Sequence, residues 1–272
     1  MGLRVNTNVA SLTAQRNLAS VTSRLQGNYA RLSSGLRIAT ASDDAAGLGI
    51  SERMRSQIRS YAVAGRNAQD GVSLTQTAEG SLQEVSNNLN RMRELAVQAA
   101  NGTLTTTDRA TIDAEFQELV TEIDRVSGEA AFNGLNLLDG STASIDLQVG
   151  VDAGDTITVN MVDATAATLG IDALDVTSAA NASAALTALD TAIDGVSTGR
   201  GTLGAAQNRL NSAIASIANT RENLSAAESR IRDVDVAAET ADLTRNTIMQ
   251  QAAVSVLAQA NVQPQLALNL LG

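Results

Sequence analysis

One spacing of apolar residues, which returns along most of the chain, constrains its fold more than any other feature. In the clearest stretch, apolar side chains alternate three and four residues apart at Leu82, Val85, Leu89, Met92, Ala96 and Ala99. This spacing places one apolar stripe along a helix and is typical of a coiled-coil seam. A helix from about Ser42 to Ala100 would be on the order of 85 Å long at ~1.5 Å per residue. The pattern therefore predicts long helices that pack side by side.

Composition favours the same class of fold. Hydrophobic residues make up 44% of the 272 residues but aromatic residues only 1%, so the apolar content is mostly Ala, Leu, Val and Ile. Small aliphatic side chains suit helices in close lateral contact, whereas ligand pockets usually use more aromatic surface. We expect a mainly α fold, a long antiparallel helical bundle or coiled coil with a small β-hairpin region.

Breaks in the helical pattern divide the chain into segments. Ser42–Asp44 and Thr105–Asp108 offer N-cap residues for two helices. Residues 128–140 lose the helical period and are predicted to form a loop. Alternating apolar residues on both sides of Asp152–Asp155 predict a β-hairpin. The helical spacing then returns, and Pro264, the only proline, is expected to bend or end the last helix.

These segments predict three structural parts. Residues 1–41 with 233–272 form a terminal coiled coil, residues 42–140 with 181–232 form a helical rod, and residues 141–180 form the hairpin and a short outer segment of that rod. The side chains assigned to the terminal coiled coil are Val5, Val9, Leu12, Leu18, Val21, Leu25, Leu32, Leu243, Ile248, Ala252, Val256 and Leu257. Those assigned to packing within the rod are Leu82, Val85, Leu89, Met92, Phe116, Leu119, Ile123, Leu210, Ile214, Ile217 and Leu224.

Charge is distributed unevenly along the chain. The formal net charge is −10, but residues 1–66 carry +6 and the remainder carries −16. Nucleic-acid binding is not favoured, because the arginines are dispersed and aromatic residues for base stacking are scarce. We favour pairing of the basic part with acidic parts of the same chain or of a neighbouring copy.

No residue pattern indicates catalysis or a cofactor. The absence of His and Cys excludes the usual zinc sites, thiol nucleophiles and imidazole bases. Acidic residues at 113, 115, 118, 122 and 124 follow helical spacing and are interpreted as a solvated helix face. No apolar span approaches the roughly 20 residues that a transmembrane helix needs. We predict a protein that is not an enzyme, binds no metal and does not insert into a membrane.

A sequence signature stands where the first arm meets the long helix. Ser42–Met54 reads Ser-Asp-Asp-Ala-Ala-Gly-Leu-Gly-Ile-Ser-Glu-Arg-Met and resembles the segment that opens the conserved rod of bacterial flagellins. Further similarity to flagellins runs through Asn6–Arg16, Leu32–Met54, Asn67–Asn101, Glu122–Asn136, Leu147–Met161, Ser229–Asp235 and Ala253–Gly272. The resemblance implies a minimal flagellin without large outer domains. Such a protein polymerises with itself into the extracellular filament used for swimming, after export through the flagellar type III channel and assembly at the distal tip.

The resemblance also implies partners besides copies of the chain itself. These are the flagellar export apparatus, a chaperone for the C-terminal arm, the filament cap and the hook-filament junction proteins. Arg91, Leu95 and Glu115 match positions that innate receptors of animals recognise on many flagellins, although Asn90 stands where Gln is usual. We favour rod packing and contacts between subunits as the role of these residues.

The outer segment contains candidate sites of modification. In a bacterial surface protein, O-linked sugars on exposed hydroxyls are expected there. The candidates are Thr165, Thr168, Thr177 and Ser178.

Two other classes of function stay open at this point. A hook-filament junction protein would share the terminal coiled coils but would lack the dense internal matches to flagellin. A secreted, membrane-active coiled-coil protein would account for the absence of charge after Arg245. The Gln and Asn residues throughout that tail disfavour this second alternative.

Overall fold

Five helices and two small hairpins make up the described part of the chain. The computed structural model describes the backbone of residues 7–269 and the side chains of residues 7–263. The helices are α1 (Val9–Ser34), α2 (Ala45–Ala99), α3 (Thr106–Glu129), α4 (Ala179–Arg232) and α5 (Val236–Asn269). The strands are β1 (Ala131–Phe132), β2 (Leu135–Asn136), β3 (Ser144–Gln148) and β4 (Thr156–Asn160). The predicted mainly α fold with long antiparallel helices is confirmed.

The chain divides into two compact units. The end unit is formed by both ends of the chain, up to Ser56 and from Asn223, and the central unit is Gln57–Glu222. The sequence-based division into a terminal coiled coil, a rod and an outer segment remains a prediction. Residues 141–180, predicted as a separate outer part, lie within the central unit.

Helices α2 and α3 both begin at predicted capping residues. Asp44 is the N-cap of α2, because the Asp44 Oδ1 atom accepts from the backbone N–H of Gly47 at 2.9 Å. Helix α3 begins with a capping box in which Thr105 and Asp108 each accept from the other's backbone N–H. The glycines in α2 and α4 do not interrupt either helix, because packing outweighs their low helix propensity.

Two of these glycines permit close packing in the central unit. A Cβ atom added at Gly71 would collide with Leu147 of β3, and one added at Gly199 would lie 2.6 Å from Val162 Cγ2. Both glycines therefore let other parts of the unit lie against a helix backbone.

Two expectations about local structure were wrong. Residues 128–140 do not form a simple loop, because β1 and β2 pair as a short antiparallel hairpin. The turn between them is Asn133-Gly134, with φ of 50° and 81°, the conformation that Asn-Gly favours in hairpins. The second expectation was wrong in part: Pro264 does not end the last helix, since α5 continues to Asn269, whereas a bend at Pro264 stays a prediction.

The longer hairpin confirms the alternating pattern. Strands β3 and β4 pair antiparallel from Ser144 opposite Asn160 to Gln148 opposite Thr156. Ile157 and Val159 face inward and are buried, while their neighbours in β4 are exposed. One face of the hairpin therefore completes the core of the central unit.

That core is built from α2, α3, α4 and the hairpins. Most of the residues assigned to rod packing lie in this core. The fully buried ones are Leu82, Val85, Leu89, Met92, Phe116, Ile123 and Leu210. Ile217 is 8% exposed, and Leu119, Ile214 and Leu224 are half-buried. Phe116 is the only aromatic side chain that is fully buried in the described residues. Aliphatic packing therefore carries the stability of the unit, with one aromatic anchor.

Substitution of Phe116 tests the importance of this anchor. Phe116→Ala should lower the free energy of unfolding by about 3–5 kcal/mol, because it removes buried apolar surface and leaves a cavity. Urea denaturation of the intact chain, followed by circular dichroism, measures the loss. Val97→Ala, at a position that is 53% exposed, is the matched control and should change stability little. Equal losses for both variants would contradict this account of the core.

Candidate functional site: the paired terminal helices

Helices α1 and α5 pair along a heptad seam in the end unit. Inward-facing residues of α1 recur three and four apart at Ser11, Ala14, Leu18, Val21, Leu25, Asn28 and Leu32. Those of α5 recur in the same way at Glu239, Leu243, Asn246, Gln250, Ala253, Leu257 and Ala260. This repeat is the spacing of a coiled coil, and it includes small and polar residues as well as apolar ones.

Polar contacts join the two helices at one end of the seam. Asn8 Nδ2 donates to the backbone oxygen of Ala260 at 2.7 Å, and Ser11 Oγ donates to Asn261 Oδ1 at 2.7 Å. Asn8 is also the N-cap of α1, since its Oδ1 atom accepts from the N–H of Ser11. One side chain therefore both starts α1 and attaches α5 to it.

A second polar cluster lies further along the seam. Asn246 Nδ2 donates to Asn28 Oδ1 at 2.8 Å, and both side chains are buried. Asn28 Nδ2 donates to Glu239 Oε1 at 2.5 Å, and Arg31 Nε donates to the same oxygen at 2.8 Å. Each buried amide thus has a partner across the helix pair, and Glu239 has a cation beside it.

The residues predicted for the terminal coiled coil fall into two groups. Leu25 is buried, and the half-buried ones are Leu18, Val21, Leu32, Leu243 and Leu257, all on the seam. Val9, Leu12, Ile248, Ala252 and Val256 are exposed and lie off the seam, whereas Val5 lies outside the described residues. These exposed residues do not pack in the seam of the single chain, because that seam also follows small and polar residues that an apolar count overlooks. Their role in polymerisation stays a prediction.

The pair consequently exposes an unusual amount of apolar surface. On α1, Val9, Leu12 and Tyr29 are 51–58% exposed. On α5, Ile248 and Val256 are 61% and 58% exposed, and Val254 and Val262 are also exposed. Exposed apolar patches of this kind mark interaction surfaces.

The segment that follows α1 connects to the residues before α5. Leu36 and Asp233 form an isolated antiparallel bridge, and Arg37 Nη2 donates to the Ile231 backbone oxygen at 2.6 Å. Arg232 Nη1 donates to Glu52 Oε1 at 2.7 Å. This hydrogen bond holds the pKa of the Glu52 carboxyl below its ordinary value.

The acidic pair in the signature segment has two separate roles. Asp44 caps α2, whereas the Asp43 carboxylate closes the turn before it by accepting from the Thr40 N–H at 2.9 Å, the Thr40 hydroxyl and the Ala39 N–H. These hydrogen bonds, those from Thr40 first, hold the pKa of Asp43 below its ordinary value. The predicted capping role is therefore confirmed for Asp44 and refined for Asp43.

The three residues matched to receptor recognition lie in two environments. Arg91 Nη2 contacts Glu115 Oε1 at 2.7 Å in an exposed ion pair between α2 and α3. This hydrogen bond raises the pKa of the Arg91 guanidinium. Leu95, in contrast, is 2% exposed and belongs to the core of the central unit. Its side chain packs inside the chain, because it continues the apolar stripe of α2 instead of facing the surface.

The acidic face of α3 is more than a solvated surface. Asp113 Oδ1 accepts from the Val176 N–H at 2.9 Å, and Asp124 Oδ1 accepts from the Ala166 N–H at 2.7 Å. Gln117, between them on the same helical stripe, donates to the Leu174 backbone oxygen at 2.8 Å. These side chains attach the irregular segment 163–178 to α3, which helical spacing could not reveal.

The candidate modification sites use their hydroxyls within that segment. Thr165 and Thr168 donate to Asp163, and Thr177 donates to Asp175 at 2.5 Å. Ser178 Oγ accepts from the Asn181 N–H as the N-cap of α4. Their modification by sugars remains a prediction.

The described residues offer little else that resembles a binding site. They contain no group of three or more acidic residues positioned to hold a metal ion. None of their helices has the length and apolar character required to cross a membrane. Among the described residues, the main candidate for a functional site is therefore the α1–α5 helix pair, with its internal polar contacts and exposed apolar residues.

This arrangement defines a class of protein, a mainly helical chain whose two ends pair with each other and expose apolar residues, and comparison with known proteins identifies the family. Residues 5–143 match the bacterial flagellin N-terminal helical region, and residues 186–271 match the bacterial flagellin C-terminal helical region. A flagellin from Halalkalibacterium halodurans is 49% identical over 269 residues, covering 98% of this chain and 99% of the relative.

Two further similar proteins support the same family. A flagellin from Bacillus subtilis is 45% identical over 304 residues, covering 99% of this chain and 100% of the relative. The crystal structure of Bacillus cereus flagellin has a TM-score of 0.52 and 37% identity, covering 60% of this chain and 94% of that structure.

The chain therefore belongs to the bacterial flagellin family. It is a structural subunit of the extracellular flagellar filament and serves motility, not catalysis. This assignment confirms the resemblance of the signature segment and decides between the function classes that the sequence left open.

The turn at Asp43 gives a pH-dependent prediction. Because the pKa of Asp43 is lower in the folded chain, the ionised carboxylate stabilises the fold above its unfolded pKa of about 4 and loses that effect as pH falls through the folded value. Asp43→Asn should therefore lower the Tm at pH 7, with a difference that shrinks on acidification. Thermal melts between pH 3 and pH 7 measure it, with exposed Asp194→Asn as control. A difference from wild type that is constant with pH would refute the prediction.

Proposed function

We propose that this flagellin polymerises through the apolar surface that its α1 and α5 helices leave exposed. The observation that carries the proposal is the exposure of Val9, Leu12, Ile248 and Val256 on a helix pair whose seam is already filled. A second copy of the chain is the proposed occupant, because a filament subunit must present its interface to identical neighbours. In this arrangement each copy buries the exposed apolar residues of its neighbour.

The free energies expected for burial and for association support an interface in which each subunit contacts several neighbours. Fully burying one Val, Leu or Ile side chain contributes roughly 1.5–3 kcal/mol, and the half-exposed residues here would contribute less. Association costs an estimated 4–15 kcal/mol in lost translational and rotational freedom. A single contact between two copies would then be weak, whereas a subunit that touches several neighbours in a growing polymer is held firmly. Addition of a subunit to the end of an existing filament is therefore favoured over the start of a new filament from free monomers.

The C-terminal arm is also the proposed binding site of partners outside the filament. Helix α5 exposes Ile248, Val254, Val256 and Val262 in a single chain. An export chaperone that covers this surface would prevent premature polymerisation before passage through the export apparatus. The filament cap and the hook-filament junction proteins would meet the same surface on subunits at the two ends of a filament.

We propose a second role for the exposed pair Arg91 and Glu115. Their exposure, 50% and 48% for the side chains, is compatible with contact to a neighbouring copy in the filament or to an innate receptor on the free chain. Leu95 would influence either contact only by supporting α2 from within. Charge reversal at Arg91 with receptor binding as the readout would separate the two roles.

Free monomers and filaments should differ in helix content. Amphipathic helices are marginal in water when their apolar faces lack partners. We therefore expect the terminal arms of the free chain to separate and pair again reversibly, so that the free chain has less helix on average than the chain in the filament. Far-ultraviolet circular dichroism of monomers and of filaments at equal concentration measures this change. Equal helicity in both states would contradict the proposal.

Seeded growth tests the interface itself. Purified chain mixed with short filament seeds should form long filaments in electron micrographs, and Ile248→Asp with Val256→Asp should abolish growth because two charges would enter an apolar interface. A truncation that lacks Val256–Gly272 should fail in the same way. Leu135→Asp, at a position 49% exposed in the central unit, is the control and should elongate normally. Normal growth by the double variant would overturn the proposed interface.

A further inference from the structure

We infer that the polar cluster of buried Asn28 and Asn246 with partly exposed Arg31 and Glu239 determines which face of α5 pairs with α1, and in which register. This inference rests on the proposed function, because the surface offered to neighbouring copies is the one that this choice leaves outside. The four residues would thus act as specificity-determining residues for polymerisation without touching a neighbouring chain.

Apolar residues alone do not select a face of α5. Leu243, Ala253 and Leu257 point toward the seam, but Ile248, Val254 and Val256 point away from it. Because the hydrophobic effect is not directional, a rotated α5 could bury a comparable apolar area. The seam residues of α1 include Ser11 and Ala14, which are small enough to accept several partners.

The polar residues do distinguish between faces. Asn28 is 2% exposed and Asn246 is 8% exposed, so in the paired state each amide relies on its cross-helix partner for hydrogen bonds. A rotation of α5, or a slip of one helix along the other, would leave Asn28, Asn246 and Glu239 without their cross-helix contacts. Each buried polar group left without a partner costs about 1–3 kcal/mol. A single polar pair in a coiled-coil core is known to select register in this way.

The contacts at the other end of the seam specify the same register. Asn8 reaches Ala260, and Ser11 reaches Asn261, whereas Asn28 reaches Asn246 and Glu239. Residue numbers rise along α1 as they fall along α5, as expected for one antiparallel alignment. Two separated sets of hydrogen bonds therefore agree, and neither set can be satisfied if the helices slip past each other.

The surroundings of the cluster allow a clean test. Leucine has the same branching at Cγ as asparagine, and Asn28 and Asn246 line an open cavity of about 400 Å³, bounded by Gly27, Met249 and charged side chains, that gives room for the larger residue. Glu239 retains Arg31 as a partner in a double variant. Asn28→Leu with Asn246→Leu therefore removes the buried amide pair and places two apolar side chains in the seam.

The first experiment compares this double variant with wild type in seeded growth. We expect its helix content to equal or exceed that of wild type, while the rate of elongation falls at least tenfold or the filaments take more than one helical form. Asn208→Leu, at an exposed position of α4 in the central unit, is the matched control and should elongate as wild type does. Wild-type growth by the double variant, with one filament form, would overturn the inference. Failure of wild type to elongate would instead refute the proposed function.

The second experiment reads the register in the free chain, without polymerisation. The chain has no cysteine, so Ser11→Cys with Asn261→Cys introduces a single pair, at positions whose side chains now contact at 2.7 Å. Mild oxidation should form an intramolecular disulfide in high yield while Asn28 and Asn246 are present. The yield should fall severalfold when both are replaced by leucine. An unchanged yield would contradict the inference even if the leucine variant failed to polymerise for other reasons.

Discussion

The antiparallel pairing of α1 with α5 is the interaction on which the end unit depends. Neither helix has a wide enough apolar face to be stable alone, and each supplies the partner that the other lacks. The seam is narrow and rich in small and polar side chains, with Leu25 its only fully buried large aliphatic residue in the described part. Stability of the pair is therefore modest, and its geometry depends on hydrogen bonds more than on apolar area.

That balance suits a subunit that must change state during assembly. A seam packed with large apolar residues would fold firmly in the monomer and would leave little surface for neighbours. Here several large aliphatic side chains, such as Ile248 and Val256, are outside the seam, where contact with other copies can bury them. The central unit is built differently, since its core is closed within one chain around Phe116 and long aliphatic stripes. Asp113 and Asp124 complete it by attaching the irregular segment 163–178 to α3.

Sequence periodicity predicted the long helices, the hairpin and the antiparallel class of fold, because these follow from local spacing of apolar residues. It predicted the seam of the helix pair only in part. Counting apolar residues found Leu25 and Leu243 but also selected Val9, Leu12 and Ile248, which lie off the seam. It missed Ser11, Asn28 and Asn246, whose side chains form hydrogen bonds across the two helices. The roles of Asp113 and Asp124 were missed for a related reason, since their partners are backbone groups far away in sequence. The β1–β2 hairpin could have been found from its Asn-Gly turn.

The most direct measurement is an electron cryomicroscopy structure of the assembled filament at side-chain resolution. It should show Asn28 paired with Asn246 inside each subunit, and Val9, Leu12, Ile248 and Val256 buried against neighbouring copies. A filament in which these apolar side chains face water, or in which α5 docks on α1 through another face, would contradict the central claim that the polar seam selects the surface used for polymerisation.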